Sequence, residues 1–248
     1  MKTTNTFTPE KTPAQKWEEA TLATNFIFCK IMESEPELCK HLLEILLHIE
    51  IDHLESPQAE RTFKESIDSK SVRFDVYTKD SSRIFDLEIQ TINKKNLPKR
   101  ARYYQSLLDM SNLNEGVNYK KLKDSYIIFI CLHDMFGKKQ PVYTFENICL
   151  ENPEVKLNDG THKVFFNAKN SDIIESEDEK LFFEFLKSGI ANDDFTNTLK
   201  AKVSLAKKNM EWRNQYMTWQ QMIDDEKDDA REEGLAEGRE QGLAEGSH

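Results

Sequence analysis

The sequence predicts an α/β domain, and three features carry that expectation. Residues 71–90, "SVRFDVYTKDSSRIFDLEIQ", are two strand-like runs joined by a polar turn. Residues 125–132, "SYIIFICL", form a continuous apolar run bounded by polar residues, as a central strand covered on both faces would. Segments with apolar residues at helical spacing lie before, between and after these runs. The 248 residues suffice for one sizeable domain, or for a domain with an appendage.

Taken in order, residues 1–13 are polar and Thr/Pro-rich and read as a disordered start. "PAQKWEEATLATNFIFCKIME" reads as a single helix, with Trp17, Leu22, Phe26 and Cys29 on one face. Pro36 suits the first turn of a second helix, "PELCKHLLEILLHIE". An edge strand is expected within 51–70, followed by strands near 71–78 and 84–91 around "KDSSR". A loop at Asn93–Leu97 leads into a helix from Pro98, "PKRARYYQSLLDMSNL". Further strands are expected at "PVYTFE" and "HKVFFNA", and helices at 178–189 and from about 193 into the mid-220s. These elements make a body over 14–223.

The remaining segment, 224–248, is an acidic tail in which Gly234, Gly238, Gly242 and Gly246 recur every four residues. As a helix it would carry a glycine stripe, each glycine costing roughly 0.5–1 kcal/mol relative to alanine. The tail therefore reads as loose, or as a helix that needs a partner helix or a second copy of the chain against the stripe.

Hydrophobic residues make up 38% of the chain and charged residues 31%, a composition that fits a soluble globular protein rather than a membrane one. The longest apolar runs, "LLEILLHIEI" and "SYIIFICL", fall short of the roughly 20 residues of a membrane span. The N-terminus has no signal-peptide core, so a cytoplasmic protein is expected. Cys29, Cys39, Cys131 and Cys149 are scattered and read as reduced, structural residues. His41, His48 and His53 are spaced by 7 and 5, which does not stack them on a helix face as zinc ligands; solvated or capping roles fit better. The formal charge of −10 is concentrated: ten acids against three bases between Asp224 and Gly246 leave that segment at −7 and the body at −3. A nearly balanced body can still present a basic groove to a polyanion.

The hairpin holds the chemistry. Strand side chains alternate, so Val72, Phe74 and Val76 are expected on one face and Arg73, Asp75 and Tyr77 on the other. In the partner run, Asp86, Glu88 and Gln90 share a face. A four-residue loop would pair Asp75 with Glu88; a two-residue loop would pair it with Asp86 and leave Glu88 on the diagonal. Either register brings two like charges within reach of one another, roughly 5 Å between Cβ atoms when directly opposed. A hard divalent cation would neutralise them, and so would a solvated face balanced by Arg73, Arg83 or a lysine. The segment that leads into and opens the next helix carries Lys94, Lys95, Lys99, Arg100 and Arg102, beside Tyr103 and Tyr104. Alone, such a run is a solvated face; after a carboxylate strand, it supplies groups for phosphates and for sugar or base faces.

In their order and spacing, "LATNFIFCKIMESEPELCKHLLEILL", "VRFDV", "FDLEIQ", "LPKRARYYQSLLD", "SYIIFICLHDMFG", "VYTFENICLE", "LNDGTHKVFFNAK" and "EWRNQYMTWQQMI" resemble the PD-(D/E)XK nuclease family transposases, also called the Rpn family of recombination-promoting nucleases. The resemblance implies a restriction-endonuclease-like mixed sheet of about four core strands flanked by helices, with a C-terminal helical region and the glycine-repeat tail appended. It implies Asp75 and Glu88 as metal-binding and catalytic acids, the Ile89 carbonyl as a further ligand, and Gln90 in the place of the wider superfamily's lysine. Glutamine can donate and accept hydrogen bonds but carries no charge, so more of the charge stabilisation falls to the ion, Mg²⁺ or Mn²⁺. Lys94, Lys95, Lys99, Arg100, Arg102, Tyr103 and Tyr104 would meet DNA. One departure stands out: Asn25 occupies the place of the family's helix acid and would be at most a neutral ligand.

Two functions are therefore expected in competition: a metal-dependent DNA endonuclease, connected with recombination or mobile DNA, and a non-catalytic module that binds nucleic acid and associates through its tail. RNA is a weaker candidate substrate, because no RNA-binding module is recognisable.

Overall fold

A computed structural model describes residues 11–63, 72–93 and 95–245. The expected disorder of the first residues falls mainly on 1–10, outside the described residues. The chain divides into two compact units, one spanning Thr21–Ser204, the other drawn from the chain ends up to Ala20 and from Leu205 onward.

The larger unit is built on a six-stranded sheet in the order β1-β4-β5-β6-β8-β7, more strands than the four-strand core expected. Its members are β1 (Gln58–Ala59), β4 (Val76–Lys79), β5 (Arg83–Gln90), β6 (Asp124–Cys131), β7 (Val142–Phe145) and β8 (Thr161–Asn167). The strand expected within 51–70 is β1, on the sheet edge. A separate ribbon pairs β2 (Thr62–Phe63) with β3 (Val72–Arg73). β5, β6 and β8 run parallel, and the other pairings are antiparallel. The crossover from β5 to β6 is α4 (Leu97–Asn112), which starts one residue earlier than the sequence suggested. β6 lies between β5 and β8 and buries Ile127, Ile128, Phe129, Ile130 and Cys131 on both faces, as the unbroken apolar run implied.

α4 covers one face, where Leu97, Ala101, Tyr104, Leu107 and Leu108 pack with Phe74, Tyr77, Ile84, Ile127, Phe129 and Phe165. Phe166 faces the other way and meets Phe183 of α5 (Glu177–Ser188), with ring centroids 5.7 Å apart. α2 (Asn25–Ser34) contacts β4 and β5, and α3 (Pro36–Leu47) packs with α2 and α5. His48 caps α3 in the left-handed region (φ 53°) and lies 3.2 Å from Glu179 of α5. All four cysteines are free thiols, and burial pushes Cys39 and Cys131 up to about 12.

The single helix expected over 13–33 is two: α1 (Pro13–Glu18) and α2. Threonine side chains take the intervening turn. The Thr21 N–H donates to Thr24 Oγ1 (3.1 Å) and the Ala23 N–H to Thr21 Oγ1 (3.2 Å). Short hydroxyl side chains compete in this way with the helical ladder. A second expected helix also splits, into α6 (Asp194–Lys208) and α7 (Met210–Glu245), where Asn209 accepts from the Trp212 N–H at 3.0 Å and caps α7.

In the smaller unit, Trp17 is wholly buried, its indole N–H donates to the Lys207 carbonyl (3.3 Å), and its ring meets Tyr216 at 5.2 Å. Lys16 and Asp224 pair at 3.2 Å. Of the two states the sequence left open for the tail, loose or helical with a partner on the stripe, the helical one is present: α7 continues to Glu245 as one helix. Around Gly234 and Gly238 there is open space, so none of the described residues packs on the stripe at those positions. Among the described residues no helix is long and apolar enough to cross a membrane.

The β4–β5 turn sets the register on which the site depends. Asp80 is buried in it; Oδ1 accepts from the Ser82 and Arg83 N–H groups (2.8 and 2.6 Å) and Oδ2 from Arg83 Nε (2.6 Å). Burial opposes ionisation of Asp80, but the bonds from Arg83 and Ser82 outweigh it and hold its pKa below the ordinary carboxylate value. Asp80→Asn should cost about 2 kcal/mol at neutral pH, the scale of a charge-assisted hydrogen bond. Because the folded pKa is the lower one, the stabilisation is present above about pH 4, the unfolded value, and is lost as the pH falls through the folded value. Urea midpoints of the two proteins should therefore converge in acid; an equal gap at all pH values would refute the charge-assisted role.

Candidate functional site

The turn spans Asp80–Arg83 and pairs Lys79 with Ile84, the four-residue alternative, which sets Asp75 across from Glu88. The strand expected over 71–78 is broken at Phe74–Asp75, between β3 and β4. Regular alternation would put Phe74 and Tyr77 on opposite faces; instead both join the cluster under α4. The cause is where the backbone bonds go. The Phe74 N–H donates to the Arg61 carbonyl (3.0 Å), the Glu60 N–H to the Asp75 carbonyl (3.0 Å), and the Asp75 N–H leaves the ladder for Glu88 Oε1 (3.1 Å). The Ile89 N–H returns the contact, donating to Asp75 Oδ2 at 3.1 Å. Each acid is thus held by main chain beside the other.

Burial raises the Asp75 pKa, opposed first by a hydrogen bond from the Asn25 side chain and then by the one from Ile89. Asn25 opens α2, and its Oδ1 lies 3.8 Å from Cys29 Sγ. Glu88, 1% exposed, is neutralised by Arg100, whose Nη2 donates to Oε2 at 3.0 Å. Arg100 also donates from Nη1 to Gln90 Oε1 (3.0 Å) and from Nη2 to the Tyr104 hydroxyl (2.8 Å), and Gln90 Nε2 donates to the Ile89 carbonyl (3.0 Å). The guanidinium lies over Tyr104 and Phe129, 5.2 and 5.6 Å from their centroids. Burial opposes its charge, but Tyr104 and Glu88 outweigh this and raise its pKa.

The basic segment divides by exposure. Lys95, Lys99 and Arg102 are exposed, Tyr103 is 37% exposed, and Lys94 lies outside the described residues. Tyr104, expected to meet sugar or base, is buried against Phe74 (5.0 Å) and serves to hold Arg100. Arg100 likewise faces the acids rather than solvent, since helical geometry turns positions 100 and 104 the same way.

Asp86 was not singled out in the sequence, although alternation placed it on the face of Glu88 and Gln90. It is wholly buried, and neither carboxylate oxygen has a hydrogen-bond partner among the described residues. Burial first, and then the charges of Glu88 and Asp75, push its pKa well above the ordinary range. Asp75, Glu88 and the Ile89 carbonyl, the residues expected to hold an ion, offer only oxygen donors, the type hard divalent cations prefer. Among the described residues no three His, Cys, Asp or Glu side chains group as a ready metal centre. An ion here would lean on two carboxylates, a carbonyl and water, which suits a cation that keeps part of its hydration shell.

The model of a family described as PD-(D/E)XK nuclease family transposase matches residues 23–234. No curated protein and no solved structure matches the chain.

Proposed function

The chain belongs to the PD-(D/E)XK nuclease family transposases, and on that premise we propose that it is a divalent-metal-dependent DNA endonuclease, using Mg²⁺ or Mn²⁺, that acts in recombination or on mobile DNA. The observation that supports this most is the reciprocal main-chain bonding that holds Asp75 and Glu88 side by side. Asp75, Glu88 and the Ile89 carbonyl would hold the ion. When bound, it supplies Lewis acidity to the phosphoryl oxygens and acidifies water. Gln90 keeps a free amide hydrogen and a free lone pair beyond its bonds to Ile89 and Arg100, enough to orient a water but not to take its proton. Arg100 fixes Glu88 and Gln90 relative to one another and provides positive charge at the wall where a phosphate would sit. Lys95, Lys99, Arg102 and Tyr103 are exposed for contacts with the strand; Lys94 is proposed with them from the sequence.

A plasmid-nicking assay tests the proposal. Wild-type protein with Mg²⁺ should convert supercoiled to open-circular DNA, and both EDTA and Asp75→Ala should stop it. Intact supercoiled DNA at high protein concentration with either Mg²⁺ or Mn²⁺ would rule the nuclease out.

The second reading, a binding module without cleavage, is favoured by Asn25, which contributes a hydrogen-bond donor to Asp75 where a third acid would add charge. It predicts a salt-dependent gel shift with no nicking.

A further inference from the structure

Resting on the nuclease reading, we propose that a cavity between α4 and the β7–β8 edge of the sheet takes an unstacked nucleotide of the bound DNA strand, its base against phenylalanine rings and its phosphate on Arg102 and Lys163. The cavity measures about 540 Å³, within the range of about 300–1,000 Å³ typical of small-ligand sites.

Its apolar side is aromatic. Phe136 and Phe145 each meet Phe165 nearly at right angles, at 5.3 and 5.7 Å, and lie 5.2 Å from one another. Phe145 is 45% exposed, a ring left open to solvent on an edge strand. Phe165 stacks on Phe129 at 5.2 Å, and Phe129 carries the Arg100 guanidinium on its ring, so one aromatic wall joins the cavity to the acid cluster.

The polar side favours an anion. Four charged groups line the cavity, and the two acids are already engaged: Glu146 with Lys156 (2.7 Å), and Asp159 with Asn147 (2.7 Å) and Thr161 (2.9 Å). Among the described residues neither Arg102 nor Lys163 has a carboxylate within ion-pair distance, and Asp109 acts on Lys163 only from farther away. Gln105 also lines the cavity and is 6% exposed; its amide donates to Asp109 and Ser125, while its side-chain carbonyl is buried without a partner among the described residues. A nucleotide supplies what this set lacks: a flat π face and a phosphate. A purely apolar ligand would leave the cations unused.

The test is photocross-linking of a single-stranded oligonucleotide carrying 5-iodo-2′-deoxyuridine to the full-length protein in EDTA, with adducts mapped by mass spectrometry. The expected adduct is on Phe145 or Phe136. Phe145→Ala should bind the strand roughly tenfold more weakly, the effect of losing one stacked base, and Phe145→Trp should restore binding. Arg102→Gln, an exposed change that leaves the core intact, should lower the salt dependence of binding by about one counterion. Wild-type affinity in Phe145→Ala and Arg102→Gln, or adducts confined to Tyr103, overturns the cavity assignment and leaves the nuclease reading standing wherever plasmid nicking is observed. No strand bound at low salt overturns the cavity assignment as well, while the nuclease reading stands or falls on plasmid nicking alone.

Discussion

Glu88→Ala is expected to abolish plasmid nicking and to destabilise the domain by about 3 kcal/mol, the lower end of the range for breaking a buried ion pair. The two effects have separate causes. Cleavage fails because the carboxylate beside Asp75 is gone; a loss of several kcal/mol of charge stabilisation lowers the rate at least about a hundredfold. Stability falls because Arg100 keeps its place between Gln90 and Tyr104 with no anion to meet it. The cost stays at the low end because the Arg100 side chain keeps 23% exposure and some access to water. Glu88→Gln separates the causes. Its amide oxygen can still accept from the Asp75 N–H, so it should lose less stability than the alanine variant while nicking equally poorly. Urea denaturation alongside nicking checks both claims. A folded Glu88→Ala protein that cuts at the wild-type rate would remove Glu88 from the chemistry.

Asn25→Asp should make the protein's stability depend on divalent metal. Asn25 now donates a hydrogen bond to a half-buried Asp75 whose pKa desolvation has already raised. An aspartate there replaces a donor with a second negative charge, which disfavours the ionised pair further. In EDTA the variant should melt below wild type. A cation that binds the native state stabilises it by an amount that grows with its concentration over Kd, about 2.7 kcal/mol at a hundredfold excess. Mg²⁺ should therefore raise the variant's Tm more than the wild type's, and nicking should rise in parallel. Equal thermal shifts for the two proteins would mean that position 25 lies outside any ion's reach. A gain in nicking from an inactive wild type would favour the binding-module reading of the native chain.

The reach of the sequence differs among these residues for an identifiable reason. Period-two alternation and a polar turn are local properties, so β5, β6 and β8 and the nearness of Asp75 to Glu88 could be read from residue order alone. Turn length left two registers open, and the choice lay with Asp80, whose carboxylate closes the turn through Ser82 and Arg83. The helix break at Thr21–Thr24 was also local in chemistry, but apolar spacing masked it. Other features had no local signature. Asp86 is ordinary in a strand pattern and becomes a buried acid, unpartnered among the described residues, only when β6 and α4 close over it. Tyr103 and Tyr104 are adjacent and chemically alike, yet one is open to a ligand and the other braces Arg100, because only helix-on-sheet packing decides which side of α4 is inside.

By itself, then, the order of residues determined the family, through the resemblance its motifs carry, and the α/β architecture and the two facing acids, which follow from periodicity and spacing along the chain. The tertiary structure alone decided that Arg100 neutralises Glu88, that Asn25 serves Asp75, and that Phe145 stands open over a cavity. Contacts between segments far apart in sequence depend on how their surfaces pack, and no short window of residues specifies that packing.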